Sequence, residues 1–264
     1  MKVALCQSEI IFENKEANYI KAGKMIQGAS ESGVELVLFP EMSFTGFSLN
    51  TAVTAEEPEN SPTITLMKGY AEQYQTAIGF GITLKTETEL CENHYIVVAP
   101  GGEILADYAK IHPFSYGGED TRFRGGREPV TFSYGGRTFG LALCYDLRFP
   151  ELFSKLSKTA EVLIVAANWP DARLDHFRAL LPARAIENQS YVLAINCLGD
   201  QAGVHYSGYS TVINPQGTVL ASRGNEEVVL LVDLEDIVLG ERLSFPVKSD
   251  RREDLYRSWY EPEG

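Results

Sequence analysis

The chain is predicted to fold as an α/β protein built on a mixed sheet, and three observations carry the prediction. Short apolar runs recur along nearly its whole length, from residues 2–7 to 228–232. Between many of them the apolar residues fall at helical spacing. Ala22, Met25, Ile26 and Ala29 share one face, as do Met67, Tyr70, Ala71 and Tyr74, which leaves lysine and glutamate largely to the other side. A Gly135-Gly136 pair between two strand runs is a hairpin signal, and a hairpin within a strand–helix alternation makes the sheet mixed rather than purely parallel.

The elements follow in order. The chain opens directly into a strand at 2–7, and a second at 36–39 has Glu41 at its exit. Runs at 77–84 and 95–99 come next; the turn Pro100-Gly101-Gly102 closes the latter, and Lys110 comes shortly after. Residues 130–134 and 138–143 flank the hairpin turn, and the second strand ends at Cys144. Beyond the cysteine, Phe149, Leu152, Phe153 and Leu156 recur at i, i+3, i+4 and i+7, so Cys144 sits on a strand-to-helix turn. Strands at 162–167, 191–196, 210–214 and 228–232 complete the pattern. No Pro/Ser-rich linker, low-complexity run or repeat divides residues 1–264, which are expected to form one domain with a sizeable core.

Composition excludes several classes of function. A formal net charge of −13 on 264 residues, with a pI of about 4.8, repels phosphate backbones and anionic membrane surfaces, so neither nucleic acid nor membrane is expected as a partner. No signal-peptide-like region precedes the first strand and no apolar stretch is long enough to span a bilayer; a soluble, cytoplasmic protein is expected. Cys6, Cys91, Cys144 and Cys197 are too few and too scattered for a disulfide framework. His94, His112, His176 and His205 lack the close pairing of zinc sites, and no metal is expected. Cys6 and Cys197 lie within apolar strand signals and read as packed core residues.

Cys144 differs from these. A thiol on a strand-to-helix turn is lifted from the sheet edge and meets the first free N–H groups of the helix, which is an oxyanion hole in outline. Glu41 stands at another strand's exit, and Lys110 follows a third strand signal and its turn. The three supply a base, a cation and a nucleophile.

These segments resemble the nitrilase, or carbon-nitrogen hydrolase, superfamily. Its Glu-Lys-Cys pattern is met in order by Phe39-Pro40-Glu41, by Tyr108-Ala109-Lys110-Ile111-His112 and by Leu143-Cys144-Tyr145-Asp146-Leu147-Arg148-Phe149-Pro150-Glu151. Ala167-Asn168-Trp169-Pro170, the block from Ala183 to Gln189, the block from Ser210 to Gly217 and the segment around Phe245-Pro246-Val247 extend the resemblance over nearly the whole chain. The context of Asn168-Trp169-Pro170 and Asn188-Gln189 is most similar to omega-amidases, which hydrolyse the terminal amide of short dicarboxylic acid monoamides.

The resemblance implies a four-layer α-β-β-α sandwich of two mixed sheets, with the functional residues at one rim. It further implies that Cys144 attacks an amide carbon, that Glu41 is the base, and that Lys110 and the Tyr145 backbone N–H hold the oxyanion. Glu119, in Gly117-Gly118-Glu119-Asp120, would orient the lysine or the substrate, with Asp120 as its rival one residue away. The partner is a small amide, the intermediate is a thioester, the product is ammonia, and no cofactor is required. Asn168 would orient the substrate, while Trp169 either walls the acyl pocket or packs as a core aromatic. Arg173 is the candidate for the distal carboxylate, and Arg148 reads instead as fixing its helix through an ion pair. Amidases of deaminated glutathione, N-carbamoyl amine hydrolases, a Cys-His hydrolase using His112 and a noncatalytic protein on the same fold stay open as alternatives. The aromatic and basic tail 242–264 is expected at the interface of a homodimer.

Overall fold

Strands such as Ala77–Leu84 and Val162–Ala167, in which every residue is buried, need a covering layer on both faces. The computed structural model describes residues 1–260, with Tyr260 as backbone only, and supplies those layers. Its first half runs β1 (Lys2–Gln7), α1 (Lys15–Glu31), β2 (Leu36–Leu38), α2 (Thr51–Thr54), α3 (Pro62–Tyr74), β3 (Ala77–Leu84), β4 (Glu92–Val98) and β5 (Ile104–Ala109). Its second half runs β6 (Thr131–Tyr134), β7 (Arg137–Leu143), α4 (Pro150–Leu156), β8 (Val162–Ala167), α5 (Leu174–Asn188), β9 (Tyr191–Asn196), β10 (Leu198–Gln201), β11 (Val204–Ile213), β12 (Val219–Gly224) and β13 (Val228–Asp233). Two helices, α6 (Val238–Ser244) and α7 (Glu253–Tyr260), follow.

One sheet has the order β13-β1-β2-β3-β4-β5, and the other β10-β11-β9-β8-β7-β6 with β12 beside β11. Both are mixed: β1-β2-β3 and β7-β8-β9 are parallel, and their outer strands are antiparallel. Leu5, Leu38, Val97, Leu141, Ile164 and Leu193 meet in the dry layer between the sheets. Ala22, Ile26, Met67 and Ala71 cover the first sheet's outer face, and Phe153, Leu156, Phe177 and Leu181 the second's. The architecture is a four-layer α-β-β-α sandwich.

Strand direction is what gathers the charged residues. Since β4 is antiparallel to β3 and β5 antiparallel to β4, β5 points the same way as β2. Glu41 beyond β2 and Lys110 beyond β5 therefore leave the first sheet at one end, and Cys144 and Asn168 likewise leave the parallel pair β7 and β8 at one end of the second.

Three strands escape the sequence pattern. β5 carries the polar Asp107, β10 reads Leu-Gly-Asp-Gln, and β12 is mostly exposed, so none shows a clean apolar run. β11 begins at Val204 rather than 210, because His205, Ser207 and Gly208 mask its start and a register shift interrupts it between Gly208 and Ser210. The helix after Cys144 is also corrected: a 3₁₀ turn, Cys144–Arg148, comes first, and α4 starts only at Pro150. Proline favours the first helical position and forces the preceding residue towards extended backbone, so Phe149 (φ −108°, ψ 95°) stands outside the helix face. Its ring stacks on His112 instead, at 3.8 Å and 10°.

The tail is anchored on its own chain. Arg242 donates to the carbonyls of Ala160 and Gln189 and to the Ser190 hydroxyl, and Gln189 Nε2 donates to the Phe245 carbonyl. Leu239, Leu243, Phe245 and Trp259 are nevertheless exposed. The side chain of Tyr260 and residues 261–264 of the tail lie outside the described residues. Among the described residues no helix is long and apolar enough to cross a membrane.

Candidate active site

Cys144 is the first residue of the 3₁₀ turn and has φ +44°, a conformation that costs a non-glycine residue on the order of 1–3 kcal/mol. Such strain persists only where its surroundings hold it. The turn lifts the partly buried thiol off β7, with Sγ 3.8 Å from the Asn168 carbonyl oxygen. Tyr145, one residue on, carries one of the N–H groups that a helix start leaves without an intrahelical partner.

A closed ionic network lies beside it. Lys110 Nζ donates to Glu41 Oε1 and to Glu119 Oε2, each at 2.8 Å, and all three side chains are buried. Asn93, on β4, donates through one Nδ2 to both carboxylates, at 2.8 Å to Glu41 and 3.0 Å to Glu119. The second Glu41 oxygen accepts from the Asn168 N–H at 3.1 Å, and Asn168 Nδ2 returns a bond to the Glu41 carbonyl at 2.8 Å. Glu119 also accepts from the Phe114 N–H at 2.6 Å. Glu119 is the carboxylate that faces Lys110; neighbouring Asp120 is exposed.

The electrostatics follow from burial and proximity. Burial alone would strip Lys110 of its proton, but the charges of Glu41 and Glu119 outweigh it and hold the ammonium above its ordinary range. Burial and the adjacent Glu41 charge push the Cys144 thiol well above its usual value, against an opposing pull from Lys110. Burial thus favours the neutral thiol over the thiolate at this position.

Above these groups opens a cavity of about 350 Å³ lined by Cys144 and by a ring of aromatic side chains that includes Phe47, Phe114, Tyr145, Trp169 and Tyr206. Its charged lining residues are Arg148 and Arg173; among the described residues no aspartate or glutamate lines it, although the chain is strongly acidic. The Arg173 guanidinium lies 5.2 Å from the Phe114 ring and 5.7 Å from that of Tyr116. Arg148 lies 4.8 Å from the Trp169 ring and donates to His176 Nδ1 at 3.2 Å. Among the described residues it has no carboxylate partner, which corrects its reading as half of an ion pair. Trp169 is both things the sequence allowed, a buried aromatic packed on Phe177 and a wall of the cavity. His112 Nδ1 is bonded to Asp146 Oδ1 at 2.7 Å and its ring is stacked on Phe149; among the described residues no hydrogen bond joins it to Cys144, so a Cys-His pair has no geometric support.

Two residues of the site went unread in the sequence. Asn93 sits among the polar residues that open β4 and gave no signal of its own. Asn196 ends β9, where its Oδ1 takes the Trp169 N–H at 2.7 Å and its Nδ2 donates to the Trp169 carbonyl at 3.0 Å. Both are single amides inside strands, a pattern that a hydrophobic-periodicity reading passes over.

Comparison with known proteins agrees with this geometry. The sequence model of the carbon-nitrogen hydrolase family matches residues 2–238. The 2-oxoglutaramate amidase of Bacillus subtilis (strain 168) is 34% identical over 257 residues, covering 96% of this chain and 98% of that protein. Omega-amidase YafV of Escherichia coli (strain K12) is 32% identical over 262 residues, covering 98% and 99%. A structure of the amidase from Nesterenkonia sp. AN1, a mutant with acrylamide added at its active site cysteine, superposes with a TM-score of 0.88 at 27% identity, covering 98% of this chain and 99% of that one. The match of the family model to nearly the whole length, together with relatives above 30% identity from end to end, places this chain in the carbon-nitrogen hydrolase family.

Proposed function

We propose that this chain is an omega-amidase that hydrolyses the terminal amide of a short dicarboxylic acid monoamide, such as 2-oxoglutaramate or 2-oxosuccinamate, through a thioester on Cys144. The observation that carries the reading is a cavity lined by a thiol and by two guanidiniums that have no carboxylate partner among the described residues, with a Glu–Lys–Glu network beside the thiol. The names of the Bacillus and Escherichia relatives support the same class.

The reaction runs in two halves. Sγ bonds to the amide carbon as the thiol proton passes to Glu41, and the carbonyl electron pair moves onto oxygen. That oxyanion is met by the Tyr145 N–H and by Lys110, whose ammonium has three N–H donors, two of them engaged by Glu41 and Glu119. The C–N bond then breaks, Glu41 returns its proton to nitrogen, and ammonia leaves. Water attacks the thioester as Glu41 takes its proton; the C–S bond breaks, and Glu41 reprotonates the sulfur. Asn168 Oδ1 is buried without a hydrogen-bond partner among the described residues, and it suits an N–H of the substrate amide. Arg173 takes the distal carboxylate, with Arg148 across the aromatic ring of the same cavity.

The test is ammonia release on 2-oxoglutaramate, 2-oxosuccinamate, succinamate, deaminated glutathione, N-carbamoyl amines and simple nitriles. kcat/KM is expected to be highest on the monoamides that carry a distal carboxylate. Arg173→Met is expected to raise KM on them by roughly 10- to 100-fold, the value of a hydrogen-bonded charge, and to leave an amide lacking the carboxylate unaffected. A strong preference for any other group of substrates would rule out the omega-amidase assignment and spare the thioester mechanism.

We also read the exposed Leu239, Leu243 and Phe245 of the tail as the face on which a second copy packs. Light scattering is expected to give about twice the chain mass of 29.2 kDa. A fully active monomer at assay concentration would reject the pairing.

A further inference from the structure

We propose that Asp146 is a positioning residue of this reaction: its carboxylate ties the Cys144 turn to the segment that carries Lys110, and so sets the separation between the thiol and the charge that serves it. The inference rests on Cys144 being the nucleophile. Asp146 is fully buried, and both of its oxygens are taken up by donors of the protein itself. Its two oxygens take four donors. Oδ2 accepts from the Leu143 N–H at 2.9 Å and the Tyr108 hydroxyl at 2.7 Å; Oδ1 accepts from the His112 N–H at 3.1 Å and His112 Nδ1 at 2.7 Å.

The places of those donors in the chain give the arrangement its meaning. Leu143 is the residue before the nucleophile, while Tyr108 and His112 stand two residues to either side of Lys110. Four bonds to one ionised carboxylate fill its acceptor sites, and charge-assisted bonds are about twice as strong as neutral ones. This one side chain therefore clamps the exit of β7 in the second sheet to the exit of β5 in the first. It also closes the start of the 3₁₀ turn around a residue held at φ +44°, while Arg184 binds the Leu147 carbonyl nearer its end. The clamp extends to the cavity wall: His112 stacks on Phe149, and Phe149 meets Tyr145 edge-on at 5.3 Å.

A positioning role differs from plain support of the fold in what it does to the rate of correctly folded molecules. A displacement of about 1 Å between reacting groups costs roughly 100-fold in rate. Asp146→Asn keeps the shape but turns an NH₂ towards two of the four donors. Its kcat, divided by the number of Cys144 thiols that alkylate stoichiometrically, is expected to fall about 100-fold, with KM within about threefold of wild type. Tyr108→Phe deletes one bond without changing packing and is expected to lower the same per-thiol kcat about tenfold. This second variant decides the matter if Asp146→Asn does not fold. Per-thiol kcat within threefold of wild type, or KM rising as far as kcat falls, would overturn the proposal. Failure of the nucleophile reading itself is separable, because it would appear as turnover by Cys144→Ala.

Discussion

Cys144→Ala will abolish turnover, by at least about 10⁴-fold in kcat, while leaving the fold intact. The replaced thiol is partly buried at a turn and its hydrogen bond to the Asn168 carbonyl is a long contact, so little packing is lost. Alanine is no better suited to positive φ than cysteine, and the strain at this position is neither relieved nor increased. On the proposed mechanism, what disappears is the atom that forms the covalent bond, for which no neighbouring group can substitute. Wild-type enzyme quenched during turnover should show an acyl adduct by intact mass, mapped to Cys144. The other thiols make poor rivals: Cys6, Cys91 and Cys197 are buried and lie outside the cavity lining, whereas Cys144 is partly exposed and lines it. An adduct on any of them would refute the assignment.

Lys110→Ala is expected to damage stability and rate together. The ammonium sits between two buried carboxylates, and adjoining buried carboxylates cannot both stay ionised without it. Breaking one side of a buried ion pair costs about 3–5 kcal/mol, which for a chain of this size lowers Tm by on the order of 10 °C. Loss of an oxyanion donor should lower kcat by about 10²–10³-fold. The two effects can be pulled apart. In Lys110→Met combined with Glu119→Gln, one negative charge goes with the positive one, so thermal unfolding should recover most of its midpoint while single-turnover acylation stays slow. Wild-type Tm in the single variant would show that the network carries no strain; wild-type acylation would remove Lys110 from the chemistry.

The sequence was most legible where chemistry interrupts a hydrophobic pattern. Glu41 and Cys144 each follow an apolar strand and stand out against it, Lys110 was found through its motif, and the structure brings all three together with Glu119. The sandwich itself was not readable from periodicity, since alternating strands and helices are compatible with one sheet or two; the resemblance of ordered motifs supplied that step. Residues whose importance lies in bonds to other polar groups were harder to see. Asn93 joins two carboxylates that lie 52 and 26 positions away from it in the chain, and nothing local in Glu92-Asn93-His94 announces such a bridge. Arg148 was misread for the same reason, since Glu151 on the next turn offered a nearer partner in sequence than Trp169 did. The 3₁₀ turn at 144–148 was hidden because the i, i+3, i+4 spacing of Phe149 with Leu152 and Phe153 imitates a helix face that Pro150 does not allow to include Phe149.

The division of the site between the two sheets also bears on how the chain comes of age. Glu41, Lys110 and Glu119 all precede residue 120, while Cys144 and Asn168 stand just beyond strands formed afterwards. In a polypeptide emerging from its N-terminus, the acidic pair can be neutralised by its lysine while the sulfur is still unplaced. The thiol and its proton acceptor become neighbours only when the second sheet docks on the first. A half-folded molecule can thus hold its charged network while the thiol is still apart from it, and on the proposed mechanism competence to attack an amide coincides with completion of the core rather than preceding it.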